Sequence, residues 1–363
     1  ISVTGVQTCA LPISLITDIH FGARNDSLLF LDYYEKFYSE TFFPTLLKEN
    51  VDTIIILGDT FDRRKYVNYQ TLQRAKKMFF DVCRDRDITV YMLVGNHDTY
   101  FKNTNDVNSL DLLLRSYENI VVIDRPRSGT VNFDGPELCF IPWICTDNYQ
   151  DCMEEINNTQ AAYCFGHFEI DGFAMYKGLP SQEGLSRGLF RKFAYTFSGH
   201  YHHRSSADGI HYLGNPYELT WSDYNDPRGF HIFDLVTEDL SFHYNPNVMF
   251  HRIVYDDTQE VMINPDNDNY KDRYLKVVVI NKTNPYMFDR FIDTLYSKNP
   301  ADLKIVEDFS DIMEGLDEDM IDQAEDTLTI LNKYIDSIPT DNIDNNKLKG
   351  IFRELYLEAL NRS

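Results

Sequence analysis

A chain of 363 residues, 43% hydrophobic and 14% aromatic, is long enough to bury a large core and to carry an appendage beyond one domain. Its longest apolar runs fall far short of the roughly 18 residues of a membrane span, and a formal charge of −23 argues against gripping nucleic acid through a generic basic surface. Six cysteines without a Cys-x-x-Cys pair or a regular spacing read as reduced, buried thiols of a cytoplasmic protein, not as a disulfide framework or a thiolate zinc site.

The first fourteen residues lack an initiating Met, the basic start of a signal peptide and any strand period. We expect residues 1–14 to be foreign to the fold, which would then begin at Leu15. A short apolar run over 15–17 ends in Asp18-Ile19-His20. Ser27 caps a helix over about 27–49, with Leu28, Leu31, Tyr34, Phe37 and Phe42 on its apolar side and Pro44 placed to bend or break it. Ile54, Ile55, Ile56 and Leu57 suit a strand buried on both faces; Gly58 lets the chain turn, and Asp59 and Asp62 follow. A second helix covers about 69–86, with Leu72, Ala75, Met78, Phe79 and Val82 at helical spacing. The apolar run 90–94 leads into Gly95-Asn96-His97-Asp98, and a third helix covers about 107–117. This alternation favours layered α/β construction.

Beyond Tyr117 the pattern turns to strands, at 120–123, 138–144, 210–213 and 230–235. Within that stretch, 161–165 ends in Gly166-His167, and 195–197 ends in Ser198-Gly199-His200-Tyr201-His202-His203. The fold inferred over 15–250 is an α/β sandwich of sheets flanked by helices. The Asn- and Asp-rich stretch 248–266 reads as a connector, and 276–282, a helix over 285–298 and 303–309 form a small β-α-β cap domain within 251–310. Eight acidic residues and no basic one between Asp311 and Asp326 mark 311–340 as a solvated linker or surface helix. In 341–363, Leu348, Ile351, Phe352, Leu355, Tyr356 and Ala359 line one face of a C-terminal helix, which either packs on its own domain or docks on a partner.

Turns after strands are rich in Gly and Asp for conformational reasons, so a single Gly-Asp-x-x-Asp says little. Here five apolar runs each end in Asp, Asn or His, as a two-metal site built along one sheet edge requires. Two divalent ions roughly 3.5 to 4 Å apart polarise a phosphoryl group from both sides and make hydroxide available near neutral pH. Mixed Asp, Asn and His ligands suit Mn, Fe or Zn better than Mg or Ca. We expect two Mn ions.

Asp18-x-His20, Gly58-Asp59-x-x-Asp62, Gly95-Asn96-His97-Asp98, Gly166-His167 and Gly199-His200-x-His202, in this order, resemble the signature of calcineurin-like metallophosphoesterases over residues 15–203. That resemblance implies a four-layer β-sandwich. Within the superfamily the chain looks most like the SbcD-type nuclease subunits of DNA double-strand-break repair and recombination, in particular the small subunit of the phage recombination endonuclease. The stretch from Leu213 to Asp223, Arg228-Gly229-Phe230, the cap and the terminal helix carry this finer likeness. Protein serine/threonine phosphatases differ where this chain has Arg64 and Asp98.

The resemblance implies that Asp18, His20 and His202 hold one ion, that Asn96, His167 and His200 hold the other, and that Asp59 bridges them. It implies that His97 ligates neither ion and serves the leaving oxygen as proton donor or charge stabiliser, while Asp62 and Asp98 orient ligands and backbone. Arg63 and Arg64 either meet substrate phosphates or lie in a solvated loop. His203 is expected beside the site or at the surface, and His211, His231, His243 and His251 are expected to be structural.

The function expected is a manganese-dependent exo- or endonuclease subunit acting on DNA. The resemblance further implies an SbcC-type coiled-coil ATPase partner docked through the C-terminal helix, a homodimer, and residence in the cytoplasm, the host's if the chain is of phage origin. No Gly-x-x-x-x-Gly-Lys-Ser/Thr loop is present to bind ATP in this chain. The alternative is a stand-alone phosphatase or cyclic-nucleotide phosphodiesterase using the same metals.

Overall fold

The computed structural model describes residues 12–131, 135–176, 179–180, 184–259 and 270–307. The expected linker and the C-terminal helix, 311–363, lie outside the described residues. The chain divides into two compact units, one of residues 1–219 and 223–249, the other of 220–222 and 250–363.

The first unit is built on two six-stranded sheets. In one, β1 (Pro12–Ile16), β2 (Thr53–Ile56), β3 (Thr89–Leu93) and β4 (Ile120–Ile123) run parallel, and the antiparallel β13 (Gly229–Asp234) and β14 (Leu240–Tyr244) extend it beyond β1. In the other, β6 (Glu137–Ile141), β7 (Tyr163–His167), β10 (Tyr195–Gly199) and β12 (Ile210–Tyr212) are parallel, with β5 (Arg127–Thr130) and β11 (Ser205–Ala207) antiparallel at the two edges. A hairpin of β8 (Ala174–Tyr176) and β9 (Leu179–Pro180) stands apart. Ile13, Leu15, Ile55, Leu57 and Leu93 from the first sheet meet Leu138, Phe140, Phe165 and Phe197 from the second in one buried cluster. This gives the sandwich expected from the sequence.

The first strand begins earlier than expected. Pro12, Ile13 and Ser14 pair with Asp234, Phe233 and Ile232, and Ile13 and Ser14 are fully buried. The fold therefore includes residues 12–14, because Ile13 and Leu15 on alternate sites face the core while Pro12 sits at a strand start, where its missing N–H costs least.

Helix α1 (Leu28–Phe37) passes through a π-helical turn, Tyr38–Phe42, into α2 (Phe43–Lys48). Pro44 falls in the first turn of α2, where no N–H is needed, so the helix bulges instead of breaking. Ser27 makes no side-chain cap bond and Leu28 is exposed, so the apolar face starts at Phe30. The second helical stretch repeats the device, with α3 (Tyr69–Ala75), a π-turn over Lys76–Phe80 and α4 (Asp81–Asp85). The extra residue in the turn rotates the face, and Phe80 and Cys83 are buried where the spacing predicts Val82. Asn68 caps α3, and Asn108 caps the short α5 (Ser109–Leu114). On the second sheet's outer side α6 (Tyr149–Asn158) buries Cys152 and Ile156 against Cys139, Ile141 and Cys164. The five described cysteines are all unpaired and buried.

The second unit holds three parallel strands, β15 (Phe250–Asp256), β16 (Tyr274–Asn281) and β17 (Asp302–Val306), with α7 (Pro285–Ser297) between the last two. Ile253, Tyr255, Leu275 and Val277 pack on Phe288, Phe291 and Leu295. The stretch read as a connector thus contains a strand. Its alternation of buried Ile253 and Tyr255 with exposed Arg252 and Val254 is masked, in composition, by the acidic residues that follow. Among the described residues no helix is long and apolar enough to cross a membrane.

Ile55 is wholly buried at the centre of the inter-sheet cluster. Replacing it with Ala should lower unfolding free energy by about 2–5 kcal/mol in urea titrations, with native spectra retained at zero denaturant.

Candidate metal centre

The parallel strands of both sheets deliver their carboxyl ends to one edge of the sandwich. Asp18 and His20 follow β1, Asp59 follows β2, and Asn96 and His97 follow β3; His167 ends β7, and His200 and His202 follow β10. Asp18, His20, Asp59 and His200 all adopt left-handed backbone conformations, with φ between 50° and 82°. Non-glycine residues rarely do so, and such strain collects where surrounding structure holds a functional side chain in place.

Asp18, His20 and His202 each offer a ligand atom within 4.8 Å of the others, and so do Asp59, His167 and His200. Asp59 joins the two groups: its Oδ2 lies 3.3 Å from His167 Nε2 and 3.9 Å from His20 Nε2. Asn96 Oδ1 lies 2.9 Å from His167 Nε2 and 3.1 Å from His200 Nδ1. All seven residues expected as ligands are therefore brought together.

The donor chemistry fits a pair of cations. His20 Nε2 and His202 Nε2 face each other at 3.1 Å, a contact of two ring nitrogens that only a shared proton or a cation can satisfy. Burial works against ionising Asp59, yet His167, His97 and His20 hold its carboxyl well below the ordinary carboxylate range. Burial likewise opposes charge on His20 and His167, but the Asp62 carboxylate beside His20 raises the first to about 9 and Asp59 raises the second to about 9. Burial, with the neighbouring His167, pushes His200 down to about 3; burial and His20 push His202 well down. Burial raises Asp18, with Asp59 adding to it. Without a metal, protons on two imidazoles thus supply the positive charge that the buried carboxylates require, and cation binding would displace them.

The outer contacts are specific. Asp98 accepts backbone N–H groups of Thr60, Phe61 and Gly95, which ties the loop after β2 to the loop after β3. Burial, then Asp59, raises Asp98 to about 6. Asp62 approaches His20 Nδ1 at 3.4 Å with its carboxylate and accepts the His97 Nδ1 proton with its carbonyl, 2.6 Å away. The His97 backbone N–H donates to Asp59 Oδ1 at 2.8 Å. The His167 Nδ1–H donates to the Leu57 carbonyl at 2.7 Å, which turns Nε2 towards Asp59. The His200 backbone N–H donates to the Asp18 carboxylate. His203 pairs with Asp226 at 2.7 Å and lies outside both ligand groups.

Arg63 is engaged within the fold, bridging to Asp26 at 3.1 Å and bonding Asn25 and the Tyr66 hydroxyl, so contact with substrate phosphate would have to break that bridge. Arg64 is half-buried.

Three supports carry no motif of their own. Trp143, just beyond β6, lays its ring 5.2 Å from His200 and 5.9 Å from His167. Tyr217 stacks on Tyr34 at 4.0 Å and donates its hydroxyl to the Ile19 carbonyl at 2.6 Å, between Asp18 and His20. Buried Arg228 pairs with Asp223 and Asp226 and donates to the His202 carbonyl. Tyr217 and Arg228 sit in the stretches that carry the finer resemblance; nothing in the sequence singles out Trp143.

A two-sheet sandwich with Asp, Asn and His gathered at the carboxyl ends of its parallel strands defines a metal-dependent phosphoesterase. Residues 11–233 match the family model of the calcineurin-like phosphoesterases, and the chain belongs to that family and is a hydrolase of phosphate esters. It is 34% identical over 315 residues to exonuclease subunit 1 of Enterobacteria phage T4, which covers 86% of this chain and 89% of that protein. Among solved structures, a dimetal phosphatase from Danio rerio aligns at 11% identity with a TM-score of 0.41, over 64% of this chain and 96% of the other. Purple acid phosphatase from yellow lupin aligns at 14% identity and 0.37, over 63% and 50%.

Gly95 has no room for a side chain, because a Cβ there would overlap the carboxylate and backbone nitrogen of Asp59. Gly95→Ala should displace Asp59 and lower bound metal, read by elemental analysis of dialysed protein, to less than half that of the wild type; full occupancy would show that Asp59 is not positioned as described.

Proposed function

We propose that this chain is the nuclease subunit of a two-component DNA-processing enzyme and hydrolyses phosphodiester bonds of DNA with two Mn ions. The observation that carries this reading is Asp59 lying between the two ligand groups with His97 beside it. In this reading Asp18, His20 and His202 would hold one ion and Asn96, His167 and His200 the other, with Asp59 shared between the two groups. The pair would polarise the phosphodiester and lower the pKa of water at the site.

The protein's own contribution is placement. The His97 Nδ1–H donates to the Asp62 carbonyl, which leaves Nε2 as the ring nitrogen for the leaving oxygen, to which the doubly protonated ring would deliver its Nε2 proton. The Asp59 carboxylate fixes the His97 backbone, so one residue aligns both cations and the acid. Asp98 and Arg228 keep the ligand loops in register, and the Trp143 ring lies against one side of His200.

DNA as the substrate, a partner subunit and the host cytoplasm are inferred from the likeness to a phage exonuclease subunit over most of both chains. An SbcC-type coiled-coil ATPase docking on the helix of 341–363 would also answer the charge of −23, because the assembly and not this acidic chain would grip the duplex. That same charge is what favours the second reading, a phosphodiesterase for small substrates.

End-labelled linear DNA should be digested in Mn and left intact after chelation, and more slowly hydrolysed small phosphodiesters would rank the two readings. His97→Ala should keep its metal content and lose about 10²- to 10⁴-fold of nuclease rate; loss of metal in that variant would contradict its role. Deleting residues 340–363 should leave small-phosphodiester hydrolysis intact and abolish co-purification with the ATPase subunit; unchanged binding would refute docking through this helix.

A further inference from the structure

The open edge of the sandwich holds a second polar site. Where β11 and β12 of one sheet come opposite β13 and β14 of the other, a cavity of about 400 Å³ is lined by Arg204, Ser205, His211, His231 and Phe242, among others. None of the seven ligand candidates lines it, and neither does any Asp or Glu among the described residues.

Three buried polar atoms of this lining have no hydrogen-bond partner: Ser205 Oγ, His211 Nε2 and His231 Nδ1. Buried polar groups are almost always matched, so three unmatched atoms around one cavity call for a bound group. His231 is only 5% exposed. Burial lowers both imidazoles, His231 to about 3, and an imidazole in its neutral form offers one N–H. At His211 the Ser206 hydroxyl lies 2.9 Å from Nδ1; by donating there it leaves the ring proton on the unmatched Nε2.

Arg204 supplies the charge. Several arginines of this acidic chain pair with carboxylates, as Arg74 does with Asp32 and Glu35 and Arg228 with Asp223 and Asp226. Among the described residues no carboxylate pairs with Arg204, whose guanidinium lies 3.8 Å above the Phe242 ring. Arg204 is exposed to solvent, and the in-plane N–H donors of a guanidinium are what recognise tetrahedral oxyanions.

We propose that this cavity binds a phosphate monoester, with Arg204 pairing with the phosphate and Ser205, His211 and His231 donating to its oxygens. A guanidinium fork with three single donors matches the several oxygens of a phosphate better than the two of a carboxylate. The volume exceeds that of a phosphate group alone, so an organic moiety fits beside it. Two sources share this chemistry: a free mononucleotide and the 5′-phosphorylated end of a DNA strand. The proposal stands independently of the nuclease reading, since none of its residues belongs to the metal centre.

Calorimetric titration of the full chain, stripped of metal by chelation so that the metal centre does not retain phosphate, tests it. The probes are inorganic phosphate, thymidine 5′-monophosphate, and one short oligonucleotide with a 5′-phosphate or a 5′-hydroxyl. All phosphate monoester probes should bind, and Arg204→Gln should weaken them about tenfold or more, with Arg204→Lys retaining part of the affinity. Tighter binding of the mononucleotide than of inorganic phosphate would mark a nucleotide site; a preference for the 5′-phosphorylated oligonucleotide over both would mark a DNA-end site. Ser205→Ala, which removes a single hydroxyl, should weaken the same probes and serves if Arg204→Gln fails to fold. Absence of binding at millimolar probe to folded protein, or equal affinities in wild type, Arg204→Gln and Ser205→Ala, would overturn the proposal and leave the cavity to water.

Discussion

The carboxylate of Asp59 is the point on which the site depends. It is almost entirely buried, carries a left-handed backbone, and is approached by the rings of His20 and His167 and the backbone N–H of His97. An isolated buried carboxylate would be expensive to ionise; here the surrounding imidazoles supply compensating charge and keep it ionised. A buried carboxylate in this setting is a ready partner for a divalent cation, and its Oδ2 lies within 3.9 Å of a ring nitrogen from each of the two groups. Gly58 has φ near +101°, and its turn is what lets Asp59 double back over the end of β2.

Sheet architecture explains why ligands so distant in sequence meet. Parallel strands place all their carboxyl ends on one side, so β1, β2 and β3 present their loops together, and β7 and β10 do the same across the sandwich. Behind the first sheet an aromatic layer fixes the arrangement. Tyr38 packs edge to face on Phe42 and Phe79, Phe37 tilts against Phe42, and Tyr34 stacks on Tyr217, whose hydroxyl reaches the loop between Asp18 and His20. The helical layer is thereby linked mechanically to the first ligand group.

The five motifs were legible because strand, turn and ligand lie within a few residues of each other: an apolar run followed by Gly-Asp or Gly-Asn-His states its geometry locally. The sandwich and the β-α-β core of the second unit follow from the same short-range periodicity. What escaped was long-range or off-register. The π-turn at Lys76–Phe80 changes helical phase, which regular spacing cannot anticipate, and so misplaced Val82 on the apolar face, while Leu28 is exposed because it opens its helix ahead of the first buried residue, Phe30. Strand β15 was hidden by its acidic flank, and β1 by a break in composition at its start. Trp143 acts through rings more than twenty residues away, and the partners of Arg63 come from a loop nearly forty residues earlier, so neither role has a local signature.

The twisted backbones of Asp18, His20, Asp59 and His200 have an energetic corollary. Each conformation costs on the order of 1 kcal/mol for a residue bearing a Cβ, a sizeable sum against the roughly 5–15 kcal/mol that holds a typical domain together. Glycine at any of them would relax the chain while removing a ligand or its support. At these four positions durability and chemistry therefore pull against each other, and a sturdier chain would be an inert one.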